Sequence, residues 1–421
     1  MNVTGIIAEY NPFHNGHRYH IEQAKAQTKA DYIVVIMSGN FTQRGIPACL
    51  DKFTRTKMAL QNGADLVLEL PVCYAASSAE TFAEGSVSIL HQTGIINTLC
   101  FGAEAVSDNT FSENISALPA EQFLQTAAFF TKESPEYQQA LKQYLKAGHS
   151  FPLARSLAAA PFLPENAGYL IASPNNVLGL EYCKAILKKQ SSIRPVPITR
   201  KGAGYHDTTL PAEEFASASA IRKELLSGVP TGQPFSDRLA AAVPENVAAL
   251  FASAPLLYMT EEDFYPLLYY RLLYEAIEPD YFLDFPKELA DRLKKAPLPH
   301  SYEELVDYLK TKQYTRTRIE RALLHVLLQI TTAEFERFRK NETGYARILG
   351  FRKEASPLLR ALQNNSSIPV ITRLADAKKQ LADDQYALLS HDIRAARLYQ
   401  AQVYQKYRVL LPEEYAYLVI T

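Results

Sequence analysis

The feature that most constrains this chain is a regular alternation over its first hundred residues. Short apolar runs at 3–8, 32–37, 65–70 and 95–101 are separated by helix-like segments at 16–28, 51–62 and 79–92. A βαβα rhythm of this kind implies a parallel sheet covered by helices on both faces. The runs are continuous and bounded by Gly, Asn or Pro, as strands buried on both sides must be. Asn62-Gly63 and Thr93-Gly94 supply the glycine that commonly ends a helix.

After Gly102 the rhythm is interrupted. Residues 107–162 read as a helical insertion, with Phe123, Ala127 and Phe130, then Tyr137, Leu141 and Leu145, at helical spacing. The alternation resumes with a helix over 174–188, a strand over 195–199, a Gly-containing connection over 201–207 and a helix over 219–226 closed by Gly228. Five parallel strands are expected.

Beyond Pro230 strand signals nearly vanish, and amphipathic segments follow at 237–251, 261–276, 302–309, 317–330, 376–388 and 392–404. The 421-residue length exceeds what one core usually fills. The expected architecture is an α/β, Rossmann-like domain over 1–229 and a mainly α-helical domain over 230–421. The Pro- and Gly-bearing stretch 229–235 is the joint. Hydrophobic residues at 47% and charged residues at 21% fit a globular chain. Four scattered cysteines without a C-x-x-C pair argue against a zinc cluster or disulfide framework and fit a reducing cytoplasm. No run approaches the roughly 20 apolar residues of a membrane span, so no membrane partner is expected. A net charge of −1 leaves partners undecided, because local patches rather than totals recognise them.

Residues 11–15 form the first strand-to-helix connection, at the carboxyl end of a parallel strand, where open α/β sheets bind ligands. His14, Asn15, Gly16 and His17 place two imidazoles at a helix mouth whose free N–H groups attract phosphate. Gly16 lets a ligand approach the backbone closely. Fixed donors there would stabilise charge that develops during transfer at a phosphate.

The chain here resembles the H-x-G-H nucleotidyltransferase superfamily in three separated motifs. These are Gly5 to His17, Phe101 to Glu104, and Ser217 to Arg222, which is similar to the S-x-S-x-I-R loop whose hydroxyls and arginine grip the terminal phosphates. The residues give a second reading for each motif: structural loop histidines, and an N-cap serine beside a solvated arginine. A closer resemblance covers nearly the whole chain and is to the bacterial tRNA(Met) cytidine acetate ligase family. It is carried by 11–17, 38–45, 101–104, 173–179, 198–200 and 204–207. It implies that ATP and acetate give acetyl-adenylate, whose acetyl group passes to N4 of the wobble cytidine of elongator tRNA(Met). It also implies that ATP is held by Ile7, Ala8, Glu9, Tyr10, Asn11, Pro12, Phe13, His14, Asn15, Gly16, His17 and His20, with Gly102, Asn175, Arg200, Ser217 and Ser219. His14, His17 and Arg222 would be catalytic. Mg2+ is expected with ATP, though no protein ligand for it is legible.

Ser38, Gly39, Arg44, Lys52 and Arg55 follow the second strand and are candidates to hold the acidic substrate; ordinary helix-start ion pairs explain the three cations equally. Asn175 doubles as a helix cap, and Glu104 as a ribose acceptor competes with a plain turn. His206 beside Asp207 is a weaker catalytic pair. In the helical half, Lys310, Lys312, Arg316, Arg318, Arg321, Arg337, Arg339, Lys340, Arg347, Arg352 and Lys353 form a basic run. Phe338, Tyr345 and Phe351 are its stacking aromatics. An RNA backbone or a solvated helix face accounts for the run. Two rival functions are a coenzyme-type small-molecule adenylyltransferase without RNA affinity, and a non-catalytic ATP-dependent tRNA-binding protein.

Overall fold

The computed structural model describes residues 1–104, 119–163, 168–200, 215–228, 236–252, 256–275, 277–297, 299–342 and 344–421. The apolar runs become β1 (Val3–Ala8), β2 (Tyr32–Ser38), β3 (Leu66–Leu70), β4 (Thr98–Ala103) and β5 (Arg194–Thr199). They lie side by side in the order β5-β4-β1-β2-β3, all parallel. Chain order reverses between β1 and β4, and this switch point opens a crevice at the carboxyl ends of those two strands.

Helices α1 (Asn15–Thr28), α2 (Lys52–Gln61), α3 (Val72–Ala75) and α4 (Ala79–Gln92) connect the first four strands. Their ends follow local chemistry. The Asp51 carboxylate accepts from Phe53 N and Thr54 N, and the Ser78 hydroxyl accepts from Thr81 N. Gly63 and Gly94 sit at φ +105° and +69°, which a side chain rarely adopts. In the insertion, α5 (Ala120–Thr131), α6 (Pro135–Lys146), α7 (Phe151–Ala159) and α8 (Gly168–Ala172) precede α9 (Pro174–Lys188). Phe123, Ala127, Phe130 and Tyr137 are buried as their spacing predicts. The start of the insertion, the 201–207 connection and the 229–235 joint lie outside the described residues.

The helix expected over 219–226 is α10 (Ala218–Gly228), and beyond residue 230 the chain is mainly helical, as expected: α11 (Asp237–Ala242), α12 (Glu245–Ala252), α13 (Tyr265–Tyr274), α14 (Lys287–Leu293), α15 (Tyr302–Leu309), α16 (Arg316–Leu328), α17 (Thr332–Lys340), α18 (Ser356–Asn365), α19 (Ala377–Gln380) and α20 (Asp383–Tyr407). The expected segment 376–388 splits, its start forming α19 and its end running on through 392–404 as α20. This half also contributes strands that its sequence does not announce. The strand β6 (Ala346–Phe351) adds antiparallel to β3, and β7 (Val370–Ile371) and β8 (Val419–Ile420) pair with the far edge of β6. Arg347 and Gly350 break the apolar run of β6, and a strand of that composition is stable only where its charge is paired.

It is paired. Arg347 Nη1 lies 2.6 Å from Glu69 Oε2 and Nη2 2.7 Å from Glu414 Oε1, while Lys52 Nζ lies 2.7 Å from Glu69 Oε1 and also contacts Glu414. All four side chains are at most 4% exposed. Two expectations are thereby corrected. Lys52 cannot hold the acidic substrate and Arg347 cannot meet RNA, because both are sealed in this ring of alternating charge. Phe338 and Tyr345 are likewise fully buried and stack on no external base.

Candidate active site

Strand β1 delivers Glu9 and then turns sharply at Tyr10, whose φ of +48° is unusual for a bulky residue. The turn is held from behind by Arg55, which is fully buried. Its Nε donates to Leu50 O (3.0 Å), Nη1 to Glu9 O (2.6 Å) and Ser38 O (3.2 Å), and Nη2 to Gly39 O. This is a further correction: Arg55, Ser38 and Gly39 brace the ends of β1 and β2, so they do not face a substrate. Asn11 Oδ1 accepts from Cys49 N at 2.8 Å and ties the loop to the segment before α2.

His14 caps α1, and its ring stacks on that of His17 with centroids 3.7 Å apart and planes 23° from parallel. A side chain at position 16 would place Cβ 2.9 Å from His14 Cε1, so glycine there is what permits the stack. His14 N donates to His17 Nδ1 (3.3 Å), which puts the proton of a neutral His17 on Nε2. Burial, then Arg200 and Arg222, push the His14 imidazole down to about 3. Burial and the neighbouring His14 and Arg200 hold His17 well below the usual range, and burial with Arg200 brings His20 to about 4. The three rings are therefore neutral at pH 7. Among the described residues, His14 Nδ1 and His20 Nε2 are buried without a partner. Both rings line the cleft described below, where their nitrogens can meet a ligand.

Three arginines line the same cleft. Arg222 Nη1 donates to Asn11 O (2.6 Å) and Nη2 to Ser219 Oγ (3.1 Å), while Arg44 Nη1 reaches Ser219 Oγ at 3.4 Å. Ser217 caps α10 by accepting from Ala220 N at 3.0 Å. Arg200 Nη1 donates to Asn175 Oδ1 (3.1 Å), whose Nδ2 donates to Glu104 Oε1 (2.6 Å). Gly102 lies under the Arg200 side chain; a Cβ there would meet Arg200 Cγ at 3.2 Å.

One cleft collects these groups. Ile7, Ala8, Glu9, Tyr10, Asn11, His14, Gly16, His17, His20, Gly102, Asn175, Arg200, Ser217, Ser219 and Arg222 line it, with Arg44 at the side. Pro12, Phe13 and Asn15 do not. Phe13 is core, and Asn15 Nδ2 donates to Ala241 O at 2.7 Å. Gln43, within the 38–45 motif, also lines the cleft, and sequence reasoning missed the apolar wall of Phe82, Leu178 and Tyr182. Those three sit on α4 and α9, where their spacing is that of any core-facing helix. The pair His206 and Asp207 lies outside the described residues.

The basic run divides in two. Arg316 pairs with Glu303 and Glu320, Arg321 with Asp284, Arg337 with Asp384, Arg339 with Glu84, and Arg352 with Asp65 and Glu354. No ion pair engages Lys310, Lys312, Arg318, Lys340 or Lys353 among the described residues. Arg318 instead lies over the Tyr314 ring, 4.8 Å from its centroid.

A parallel sheet with stacked imidazoles at the first crossover and arginines facing them defines a nucleotide-binding enzyme of the H-x-G-H class. The model of the HIGH Nucleotidyl Transferase family matches residues 1–410. The tRNA(Met) cytidine acetate ligase of Clostridium perfringens is 37% identical over 415 residues, 95% of each chain. That of Acetivibrio thermocellus is 38% identical over 409 residues, 95% of this chain and 94% of the relative. Among solved structures, apo Thermotoga maritima TmcAL matches with a TM-score of 0.84 at 30% identity, covering 96% of this chain and 95% of that one. The same protein bound with alpha-thio ATP matches with 0.81 at 27% identity over all of both chains. The chain belongs to the HIGH nucleotidyl transferase family and, within it, to the tRNA(Met) cytidine acetate ligases.

Proposed function

We propose that this enzyme activates acetate with ATP and delivers the acetyl group to N4 of the wobble cytidine of elongator tRNA(Met), releasing pyrophosphate and AMP. The observation that carries this reading is the cleft at the β1/β4 switch point. There, neutral imidazoles with unpartnered buried nitrogens face Arg200 and Arg222. The relatives' names supply acetate and the tRNA.

ATP lies with its α-phosphate against Gly16 and the first N–H groups of α1. A carboxylate oxygen of acetate attacks that phosphorus in line, the bond to the bridging oxygen breaks, and pyrophosphate leaves toward His14, His17 and Arg222. Neutral imidazoles donate hydrogen bonds to the growing charge without first repelling the arginines. Arg44, on the loop beside Ser219, is the cation placed for the acetate carboxylate. Phe82, Leu178 and Tyr182 exclude water from the mixed anhydride.

No group of three His, Cys, Asp or Glu side chains arranged to hold a metal ion occurs among the described residues. Mg2+ would arrive on the phosphates of ATP.

The nucleotidyltransferase unit is assigned to 1–229 and tRNA binding to 230–421, with Lys310, Lys312 and Arg318 before and within the first turn of α16 as the phosphate-contacting cations. This end of the helix adjoins the cleft wall. A Cβ on Gly45 (φ +82°), one residue after Arg44, would lie 2.3 Å from Arg321 N.

The test is ATP–pyrophosphate exchange across a panel of small carboxylates, without tRNA. Exchange with acetate supports the adenylate. Exchange only with a nucleotide-like acceptor would replace it by a coenzyme adenylyltransferase, and no exchange by a binding protein.

A further inference from the structure

Acetyl transfer leaves one step that the imidazoles and arginines do not serve. The N4 amine of cytidine loses a proton as it acquires an acyl group, and that proton needs an acceptor within hydrogen-bond reach. Arginines are donors only. The free nitrogens of His14 and His20 are given to the phosphates in the proposed function, and His17 Nδ1 already accepts from His14 N at 3.3 Å. The carboxylate of Glu104, which accepts from Asn175 Nδ2 at 2.6 Å, is not part of the cleft lining.

Among the described residues that line the cleft, Glu9 is the one carboxylate. It is unusually well fixed for a side chain at a strand end. Its carbonyl accepts from Arg55 Nη1 at 2.6 Å, and its Oε1 accepts from Gln43 N at 2.6 Å. Glu9 is half-buried, and its Oε2 has no hydrogen-bond partner among the described residues. Position adds a second argument. Gln43 belongs to the tight loop closed by Thr42 N to Ile46 O (2.9 Å) and Gly45 N to Thr42 O (2.9 Å), and this loop packs on the backbone of α16. The carboxylate thus stands between the nucleotide cleft and the helical half, on the side from which a polynucleotide bound to that half would present its base.

The geometry points to Glu9 as the catalytic residue that accepts the N4 proton during acetyl transfer, with Gln43 N holding the carboxylate in place. The N4 lone pair attacks the acetyl carbonyl carbon and a C–N bond forms. The bond from that carbon to the phosphate oxygen breaks, its electron pair leaves with AMP, and the N4 proton passes to Oε2 of Glu9. This assignment rests on the proposed function, because it presupposes an acetyl-adenylate and a cytidine acceptor.

The two half-reactions separate the assignment from the reading beneath it. Glu9→Gln keeps an oxygen acceptor for Gln43 N and removes the base. Single-turnover transfer from prepared acetyl-adenylate to tRNA(Met) should fall by about 10²–10⁴-fold. Because Glu9 also lines the nucleotide cleft, acetate-dependent ATP–pyrophosphate exchange by the same variant should fall too, but by a factor at least about tenfold smaller than transfer does, with circular dichroism and urea unfolding verifying the fold. Glu9→Asp, retaining a carboxylate one carbon shorter, should recover part of the transfer rate and none of any exchange deficit. Equal losses in both half-reactions would overturn the proposal by placing Glu9 in nucleotide or Mg2+ binding, and undiminished transfer by Glu9→Gln would also overturn it. Wild-type enzyme without exchange would instead remove the acetate-ligase reading itself.

Discussion

Replacing Arg347 by methionine tests whether the buried ring of charge, rather than RNA recognition, explains this arginine. The guanidinium touches Glu69 at 2.6 Å and Glu414 at 2.7 Å. Burial disfavours its charge, but the two carboxylates outweigh that and hold its pKa above the usual arginine value. At an effective dielectric constant near 20, a contact of about 2.7 Å is worth ~6 kcal/mol before desolvation. Most of that gain is offset by taking the ions out of water. Removing one member is different, because Lys52 is then left alone against two buried carboxylates. A loss of about 3–5 kcal/mol in unfolding free energy is expected. Urea unfolding of Arg347→Met beside wild type measures it, and tRNA titration at several salt concentrations shows whether the salt slope moves. Since Glu414 lies just before β8, an added Glu414→Gln should recover part of the loss by removing one orphaned charge. A cost below about 1 kcal/mol, accompanied by a flatter salt slope, would refute the buried placement.

Because folded-state imidazole pKa values are lowered at His14, His17 and His20, the unfolded chain binds more protons below pH ~6.5. Their contribution to stability is complete above that pH and falls as pH drops toward 4. Chemical unfolding at stepped pH should show His20→Asn with a shallower decline than wild type, and parallel declines would contradict the burial argument. For the same reason, kcat/KM for exchange should show no histidine inflection near pH 6.5, and an inflection there would mean the rings are solvated. Replacing Lys310, Lys312 and Arg318 together by Ala should weaken tRNA binding and reduce the salt slope by about two to three units, with exchange intact. Arg337→Ala, whose cation already pairs with Asp384, should change the slope by less than one unit. Equal effects from the two variants would return the RNA surface to the whole basic run.

The parallel sheet was legible because β1, β2 and β3 are buried on both faces and so carry continuous apolar runs. The nucleotide loop was legible because phosphate chemistry requires the same few residue types at one spacing. Strand β6 was hidden by Arg347, whose charge is cancelled by Glu69 and Glu414 from more than sixty residues away in sequence in either direction. Sequence distance likewise concealed the roles of Lys52 and Arg55. A cation at a helix start reads alike whether it faces a ligand, a carboxylate or four carbonyls, and only the fold decides which. The apolar wall formed by Phe82, Leu178 and Tyr182 carries no local mark, since a residue lining a cleft and one filling a core obey the same periodicity.

In the proposed mechanism the imidazoles at the first crossover stabilise departing pyrophosphate. Its most direct test is acetate-dependent ATP–pyrophosphate exchange by His14→Ala and His17→Ala, with ATP affinity and tRNA affinity measured alongside. Exchange should drop by about 10²–10³-fold in each variant, the scale set by loss of one pre-placed transition-state donor, while tRNA affinity is retained. Full exchange in both variants would contradict the account.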